Sequence, residues 1–353
     1  MSARVRAVAP SGLLLVRLAP GVGFPVRPRS LGVGVLLVAL TLAASVATLT
    51  LGRLGIALAD LPSALAGNAT GKDAFVVNRL RGPRLATAAA VGAAFGLSGA
   101  LFQSVTRNPL GSPDVIGLGA GAGAGAAVTA LLLPGVLPVS AGAVLGAALA
   151  MALVYVATGK GFRSPGRLVV AGIGVTAIAN ALIEYVVYAV ERDKASVLKS
   201  YVNGSLNASA WDDAATAALA LVLCAPVVAA LARNLTAGEM GDDTAESLGA
   251  SPDLTKTLAV LASIALSGAA VAAAGPIAFL ALCSPQIAKR LTRASGPHLT
   301  LSTLTGALLL ILADLASQHL PLFENLPVGI YTMALGGAYL AYLLVHEWRK
   351  GAL

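Results

Sequence analysis

Charge is scarce in this chain: Asp, Glu, Lys and Arg make up only 11% of its 353 residues, where a typical soluble domain has about 25%. So few charges cannot cover the surface of an ordinary water-soluble domain. Cysteine is nearly absent, and Cys224 and Cys283 both lie inside apolar runs. A thiol there behaves as a small apolar side chain, so neither a disulfide framework nor a metal cluster is expected. The three histidines, His298, His319 and His346, fall in separate loops or ends and offer no common metal or haem site. No Gly-x-x-x-x-Gly-Lys-Ser/Thr loop occurs, so the chain has no P-loop of its own. Neither a Ser/His/Asp set nor His-Glu-x-x-His is present, and the polar segments are too short to house an enzyme. Aromatics are 5% of the chain and do not interleave with its cations. The net charge of +8 therefore does not describe a nucleic-acid surface.

What is abundant is apolar sequence, 57% of residues, with a mean hydropathy of +0.83. That exceeds what one aqueous core absorbs, and the bilayer is the expected solvent. A hydrocarbon core about 30 Å thick takes roughly 20 helical residues. The apolar blocks divide into about ten such spans, at residues 31–51, 85–105, 115–133, 137–156, 168–190, 214–231, 258–274, 277–287, 301–318 and 328–346. The eighth is short and is expected to reach residue 291. The fold expected is an all-α polytopic membrane protein, with residues 1–30 as a basic cytoplasmic tail and 31–353 as one transmembrane domain. The tail has only a short apolar run, 13–16, so it does not read as a cleavable signal and the first span is taken as retained.

Lys and Arg accumulate in cytoplasmic loops. With Arg4, Arg6, Arg17, Arg27 and Arg29 inside, the inward turns carry Arg107, then Lys160, Arg163 and Arg167, then Arg233, then Lys289, Arg290 and Arg293, and finally Arg349 and Lys350. An even number of spans places both termini in the cytoplasm. The first outer segment breaks the rule, since it holds Arg53, Lys72, Arg79, Arg81 and Arg84, and needs a separate explanation.

The order of signals from Arg79 to Gly125 is a basic entry (N-R-L-R-G-P-R), an apolar helix, a polar reversal (T-R-N-P-L-G-S-P-D) and a glycine ladder, which describes a hairpin of two spans. The tetrapeptide L-S-G-A occurs at Leu97–Ala100 and again at Leu266–Ala269. A recurring small-residue segment in two halves, about 85–190 and 258–346, is what an inverted-repeat transporter shows. Gly117, Gly121 and Gly125 recur at helical spacing with no strand ahead of them, so they read as a close-packing face rather than a nucleotide loop.

Two sets of polar residues stand out. The segment Glu239, Met240, Gly241, Asp242, Asp243, Thr244, Ala245, Glu246, Ser247, Leu248, Gly249 is acidic, with an apolar stripe closed by a glycine C-cap. It is expected to form a short helix parallel to the membrane that docks on a partner. Asn180 and Glu184 lie four apart on one face of the fifth span. A carboxylate there belongs toward the bundle interior or water; it sits near the outer mouth or pairs with Arg192, or what passes it is neutral or cationic.

The chain resembles permeases of the iron-siderophore and vitamin B12 ABC importer family (FecCD-type). The resemblance rests on R-G-P-R at Arg81–Arg84, on L-S-G-A-L-F-Q-S-V-T-R-N-P-L-G-S-P-D-V-I-G-L at Leu97–Leu118 and on V-A-G-I-G-V at Val170–Val175. It continues through G-S-L-N-A-S-A-W at Gly204–Trp211, the A-x-S-L-G turn at Ala245–Gly249, A-G-P-I-A-F-L-A-L at Ala274–Leu282, L-L-I-L-A-D-L at Leu309–Leu315 and L-P-V-G-I at Leu326–Ile330. The resemblance implies a type II ABC importer permease in the bacterial inner membrane, without an ATPase site or bound cofactor, driven by ATP and Mg on two partner ATP-binding subunits. It implies that 239–252 is the coupling loop, that Arg81 and Arg84 receive acidic residues of a periplasmic or lipid-anchored substrate-binding protein, and that the fifth and tenth spans of two permeases line the translocation path, which brings in Asn180 and Glu184. Gln318 stands where some members carry a third docking arginine. Pro285-Gln286 replaces the family's frequent Pro-His, as in ferric-enterobactin-type subunits that pair with a different permease, so a heterodimer is expected. The expected cargo is a ferric siderophore. Vitamin B12 or haem in the same family, or an ion-coupled secondary carrier using Glu184 and Asp314, are the alternative readings. Asp314 itself is expected to be a structural, hydrogen-bonded acid near the outer side.

Overall fold

Where water is excluded, a segment must satisfy its own backbone hydrogen bonds, and helices result. In the computed structural model, which describes residues 4–8, 13–19, 22–52, 54–159, 165–189, 203–320 and 326–349, helices fall on each of the expected blocks. They are α1 (Pro28–Thr50), α2 (Arg81–Thr106), α3 (Leu118–Ala127, continued by a wider turn to Leu132), α4 (Val139–Ala157), α5 (Pro165–Ala189) and α6 (Trp211–Gly238). After the short α7 (Asp242–Ser247) follow α8 (Pro252–Ala274), α9 (Leu280–Thr292), α10 (Leu299–His319) and α11 (Val328–Arg349). Among the described residues, α1, α2, α4, α5, α6, α8 and α10 are long and apolar enough to cross a membrane. The tail departs from the all-helical expectation. Strands β1 (Arg4–Val8), β2 (Leu13–Ala19) and β3 (Val22–Val26) pair antiparallel in the order β1-β2-β3, and Arg-Val-Arg-Ala-Val in β1 has the two-residue period of a strand. Arg53, Lys160, Arg163, Arg192 and Lys350, used above for orientation or pairing, lie outside the described residues.

The repeat is visible as geometry. Helices α2 and α8 run antiparallel and meet at the two L-S-G-A copies. Ser98 Oγ lies 2.7 Å from Ser267 Oγ and 2.8 Å from Ser263 Oγ, and donates to the Ser263 carbonyl at 2.7 Å, while Ser263 Oγ donates to the Ser98 carbonyl at 2.9 Å. All three serines are fully buried. Each copy is followed by a break and then a short helix. Residues 107–117 separate α2 from α3, and 275–279 separate α8 from α9. The eighth element therefore starts later than the apolar run does, because Gly275 (φ 73°) and Phe279 (φ 65°) hold the intervening chain out of helix. The two breaks come together: a Cβ on Gly119 would sit 3.3 Å from Asp114 Oδ1 and 3.4 Å from Pro276 Cβ.

Small residues set the spacing. Gly92 and Gly96 of α2 touch the α10 backbone, so that a Cβ on either would fall 2.4 Å from the Gly306 carbonyl oxygen or 2.2 Å from that of Ser302. Gly121 and Gly125 of α3 meet Gly146 and Gly142 of α4 in the same way. Gly117 does a different job, turning the chain at φ 83° into α3 beside Gly172 and Thr176 of α5. Helix α2 is buried over most of its length, whereas α1, α5 and α6 expose most of theirs.

These contacts predict opposite outcomes for two leucine substitutions. Gly96→Leu should cost about 3 kcal/mol or more through overpacking, read as a lower thermal midpoint of the detergent-purified chain. Gly268→Leu, at a position whose Cβ would meet nothing within 4 Å, should leave the midpoint within about 1 °C.

Candidate functional site

The acidic segment at the basic end of the bundle is built as follows. Gly241 (φ 114°) starts α7, and Gly249 (φ 82°) ends it. The Ala250 N–H donates to the Ala245 carbonyl at 2.9 Å and the Gly249 N–H to that of Glu246 at 2.8 Å, the paired bonds of a Schellman cap. Ala245 is buried against the bundle, while Met240 and Leu248 are 70% and 60% exposed. Two apolar side chains thus face outward on a polar end.

Asp242 fastens α7 to the bundle. Its carboxylate accepts from Lys256 Nζ, in the first turns of α8, at 2.6 Å, and from Arg107 Nη2 at the end of α2. The Lys256 ammonium first, then Arg107, holds the Asp242 carboxyl below the usual carboxylate range despite the partial burial that opposes them. Lys289 of α9 approaches Glu239 at 3.8 Å. Behind these pairs, Gln286 Nε2 donates to Gln103 Oε1 at 2.5 Å, and Gln103 Nε2 donates to the Leu282 carbonyl at 3.0 Å. In the sequence Arg107 marks only an inward turn, and Lys256 carries no signal of its own. The 14-residue separation of Asp242 and Lys256 gives no local pattern to detect.

At the opposite end Arg81 and Arg84 both make internal contacts. Arg81 is 8% exposed and donates through Nη1 to the Thr48 carbonyl at 2.7 Å and to that of Leu51, closing the end of α1. Arg84 makes a forked contact with Asp314 of α10: Nη2 to Oδ1 at 2.7 Å, and Nε to Oδ1 and Oδ2 at 2.9 and 3.1 Å. Gln318 Nε2 donates to Asp314 Oδ2 at 2.7 Å, and Ser317 Oγ lies 3.3 Å from Arg84 Nη2. Both arginines are spent on internal partners in this conformation. The reason is position: α2 opens inside the bundle, against the ends of α1 and α10, where a charge needs a partner. Asp314 is the hydrogen-bonded acid anticipated, and being paired it is no free ion site.

Around Arg81 the quoted motifs interlock. The Ser205 N–H donates to the Ala274 carbonyl at 2.9 Å, and the Gly329 N–H to that of Gly204 at 3.1 Å. Gly204 (φ 70°) has no room for a side chain beside Pro276, and Trp211 Nε1 donates to the Asn78 carbonyl at 2.9 Å. On α5, Asn180 and Glu184 are both exposed on one face, in line with Ile173 and Ala177. A carboxylate on a membrane-depth surface costs about 2.5–3.5 kcal/mol on insertion scales unless water or protein covers it.

Comparison with known proteins adds the following. The model of the FecCD transport family matches residues 37–346. The chain is 37% identical over 316 residues to the ferric enterobactin transport system permease protein FepG of Escherichia coli K12, covering 89% of this chain and 96% of that one. It is 35% identical over 316 residues to the achromobactin transport system permease protein CbrC of Dickeya dadantii, covering 87% and 89%. A solved structure of an inward-facing metal-chelate type ABC transporter superposes with a TM-score of 0.76 at 24% identity, covering 90% of this chain and 99% of that one, and so shares the fold.

Removing one partner of the outer ion pair should be worse than removing both. Arg84→Met should lower stability by about 2–4 kcal/mol, and adding Asp314→Leu should recover most of it, measured as thermal midpoints in detergent. At the other end, a depressed carboxyl contributes stability that is complete above its unfolded pKa of about 3.9 and is lost as pH falls through its lower folded value. The destabilisation caused by Asp242→Asn should therefore be constant from pH 6 to 8 and fade only in acid.

Proposed function

The chain belongs to the FecCD transport family, and from that membership we propose that it is a permease subunit of an ATP-driven importer that moves a ferric siderophore across the bacterial inner membrane. The names of its relatives, which include ferric enterobactin and achromobactin permeases, support the cargo class. Two ATP-binding subunits bind ATP and Mg and supply the power. A second, different permease completes the path, both termini face the cytoplasm, and the bundle of residues 31–353 acts as one domain.

The observation that carries this reading is α7: a short helix with Met240 and Leu248 outward and Asp242 fastened to both α2 and α8. Exposed apolar side chains at a polar end call for a partner surface. The fastening gives a push on α7 a direct route into the pair of helices that cross at Ser98 and Ser267. Closure of the ATP-binding subunits beneath α7 would then tilt α2 and α8 together and switch the open end of the path. Asn180 and Glu184 wet that path where α5 faces the second permease. A substrate-binding protein docks on the outer end. There Arg81 and Arg84 receive acidic residues of that protein alongside their internal bonds, and Arg79, which is exposed, adds a cation to the same face. Exposed pairs of this kind are worth about 0–1 kcal/mol each and set orientation and on-rate more than affinity.

The test is transport by the full assembly in proteoliposomes. Met240→Glu with Leu248→Glu should cut ferric-siderophore uptake at least tenfold while the ATP-binding subunits still hydrolyse ATP and the permease still inserts. Unchanged uptake per ATP would remove α7 from the mechanism. Uptake by this chain alone under an ion gradient would overturn the assignment itself.

A further inference from the structure

A groove of about 700 Å³ opens on the outer surface of the bundle between the first halves of α1 and α10. Its walls are apolar, formed chiefly by Leu31, Val35, Val38 and Leu42 from α1 and by Leu301 and Leu304 from α10. The four α1 residues are between 42% and 64% exposed, so the groove is open along its side. Gly34, whose Cβ would lie 3.4 Å from the Leu301 side chain, lets the two helices converge at its floor. The helices run parallel, since Gly34 faces Leu301 and Gly52 faces His319. Both therefore begin at the same end of the groove.

That end is polar and positively charged. Ser30, His298 and Thr300 line its mouth. Arg27, Arg29 and Arg293 are exposed beside it. Arg29 uses Nε to donate to the Leu291 carbonyl at 2.9 Å, which ties the head of α1 to the end of α9 and fixes the guanidinium at the groove's rim. No Asp or Glu occurs from residue 27 to 59 or from 287 to 313, so no carboxylate on these segments competes for the arginines. The amino ends of α1 and α10, neither closed by a side-chain cap, add their partial positive charge to the same place.

We propose that this groove is a binding site for an anionic glycerophospholipid of the cytoplasmic leaflet, with an acyl chain along the α1–α10 walls and the phosphate between Arg29 and Arg293. An apolar trough continuous with a cationic mouth matches a molecule that is hydrocarbon at one end and anionic at the other. A zwitterionic lipid would fill the trough equally well but gain less at the mouth. Basic pockets between membrane helices on the cytoplasmic side are a recurrent form of lipid recognition. The lipid would wedge α1, which packs loosely elsewhere, onto α10. The inference borrows from the proposed function only the identity of the leaflet.

Native mass spectrometry of the purified full chain, released from micelles containing equal phosphatidylglycerol and phosphatidylcholine, tests it without any transport partner, so failure here leaves the transport reading intact. Wild type should retain one phosphatidylglycerol in preference to phosphatidylcholine by about tenfold or more. Arg29→Gln with Arg293→Gln should bring the preference to near one, and Val38→Trp, which fills the trough, should abolish retention while the thermal midpoint in lipid-free detergent stays at the wild-type value. A photo-crosslinker on Val38→Cys should label phosphatidylglycerol. Equal retention of the two lipids, a preference that survives both variants, or crosslinks to residues 1–26 or to a second protein chain would each overturn the site.

Discussion

Backbone approaching backbone along α2 is the constraint from which the rest of the molecule follows. Within a bilayer, apolar side chains gain nothing by leaving lipid for protein, so helices associate through close van der Waals contact and hydrogen bonds between them. Gly92 and Gly96 let α10 in, Gly99 lets the first turn of α9 in at Ala281, and Ser98 hydrogen-bonds to α8. One helix of the first half thereby meets two helices of the second, α9 and α10, at distances that a β-carbon would forbid, and bonds a third, α8, through a hydroxyl. The buried serine hydroxyls satisfy one another, which removes the penalty for polar atoms at that depth.

With α2 as hub, each of its ends becomes an attachment point. Arg107 at one end reaches Asp242 and so the short α7, while Arg81 and Arg84 at the other reach α1 and α10. The long helix thus joins the charged groups at the two ends of the bundle. Lys256 doubles the first attachment by bringing α8 to the same carboxylate. Because α2 and α8 cross at equivalent serines, the two helices that hold α7 are also the pair at which the halves of the repeat meet.

The polar residues at membrane depth sort by whether they have partners. Arg84, Asp314 and Gln318 form a closed group, as do Gln103 and Gln286, and these hold structure. Glu184 and Asn180 are exposed on α5 among the described residues, where lipid contact would cost a carboxylate about 2.5–3.5 kcal/mol.

The solvent, the helical blocks, the repeated tetrapeptide and the capped acidic segment were all legible before any coordinates. Each of these is written in local composition or spacing: apolar length for a span, four-residue recurrence for a packing face, Leu-Gly after an acidic turn for a cap. Family membership was legible in the same way, through several short motifs in order. It took the packing of the helices to show that Arg81 and Arg84 are held internally, that Asp242 is fastened to Lys256 and Arg107, that Gln318 completes the Asp314 group, and that the two L-S-G-A copies touch. The tail's strands also escaped the helical expectation. The reason is distance along the chain. Arg84 and Asp314 are 230 residues apart and Ser98 and Ser267 are 169 apart, so whether such groups meet depends on how the helices cross, and helix crossing is fixed by contacts that no local stretch of sequence contains.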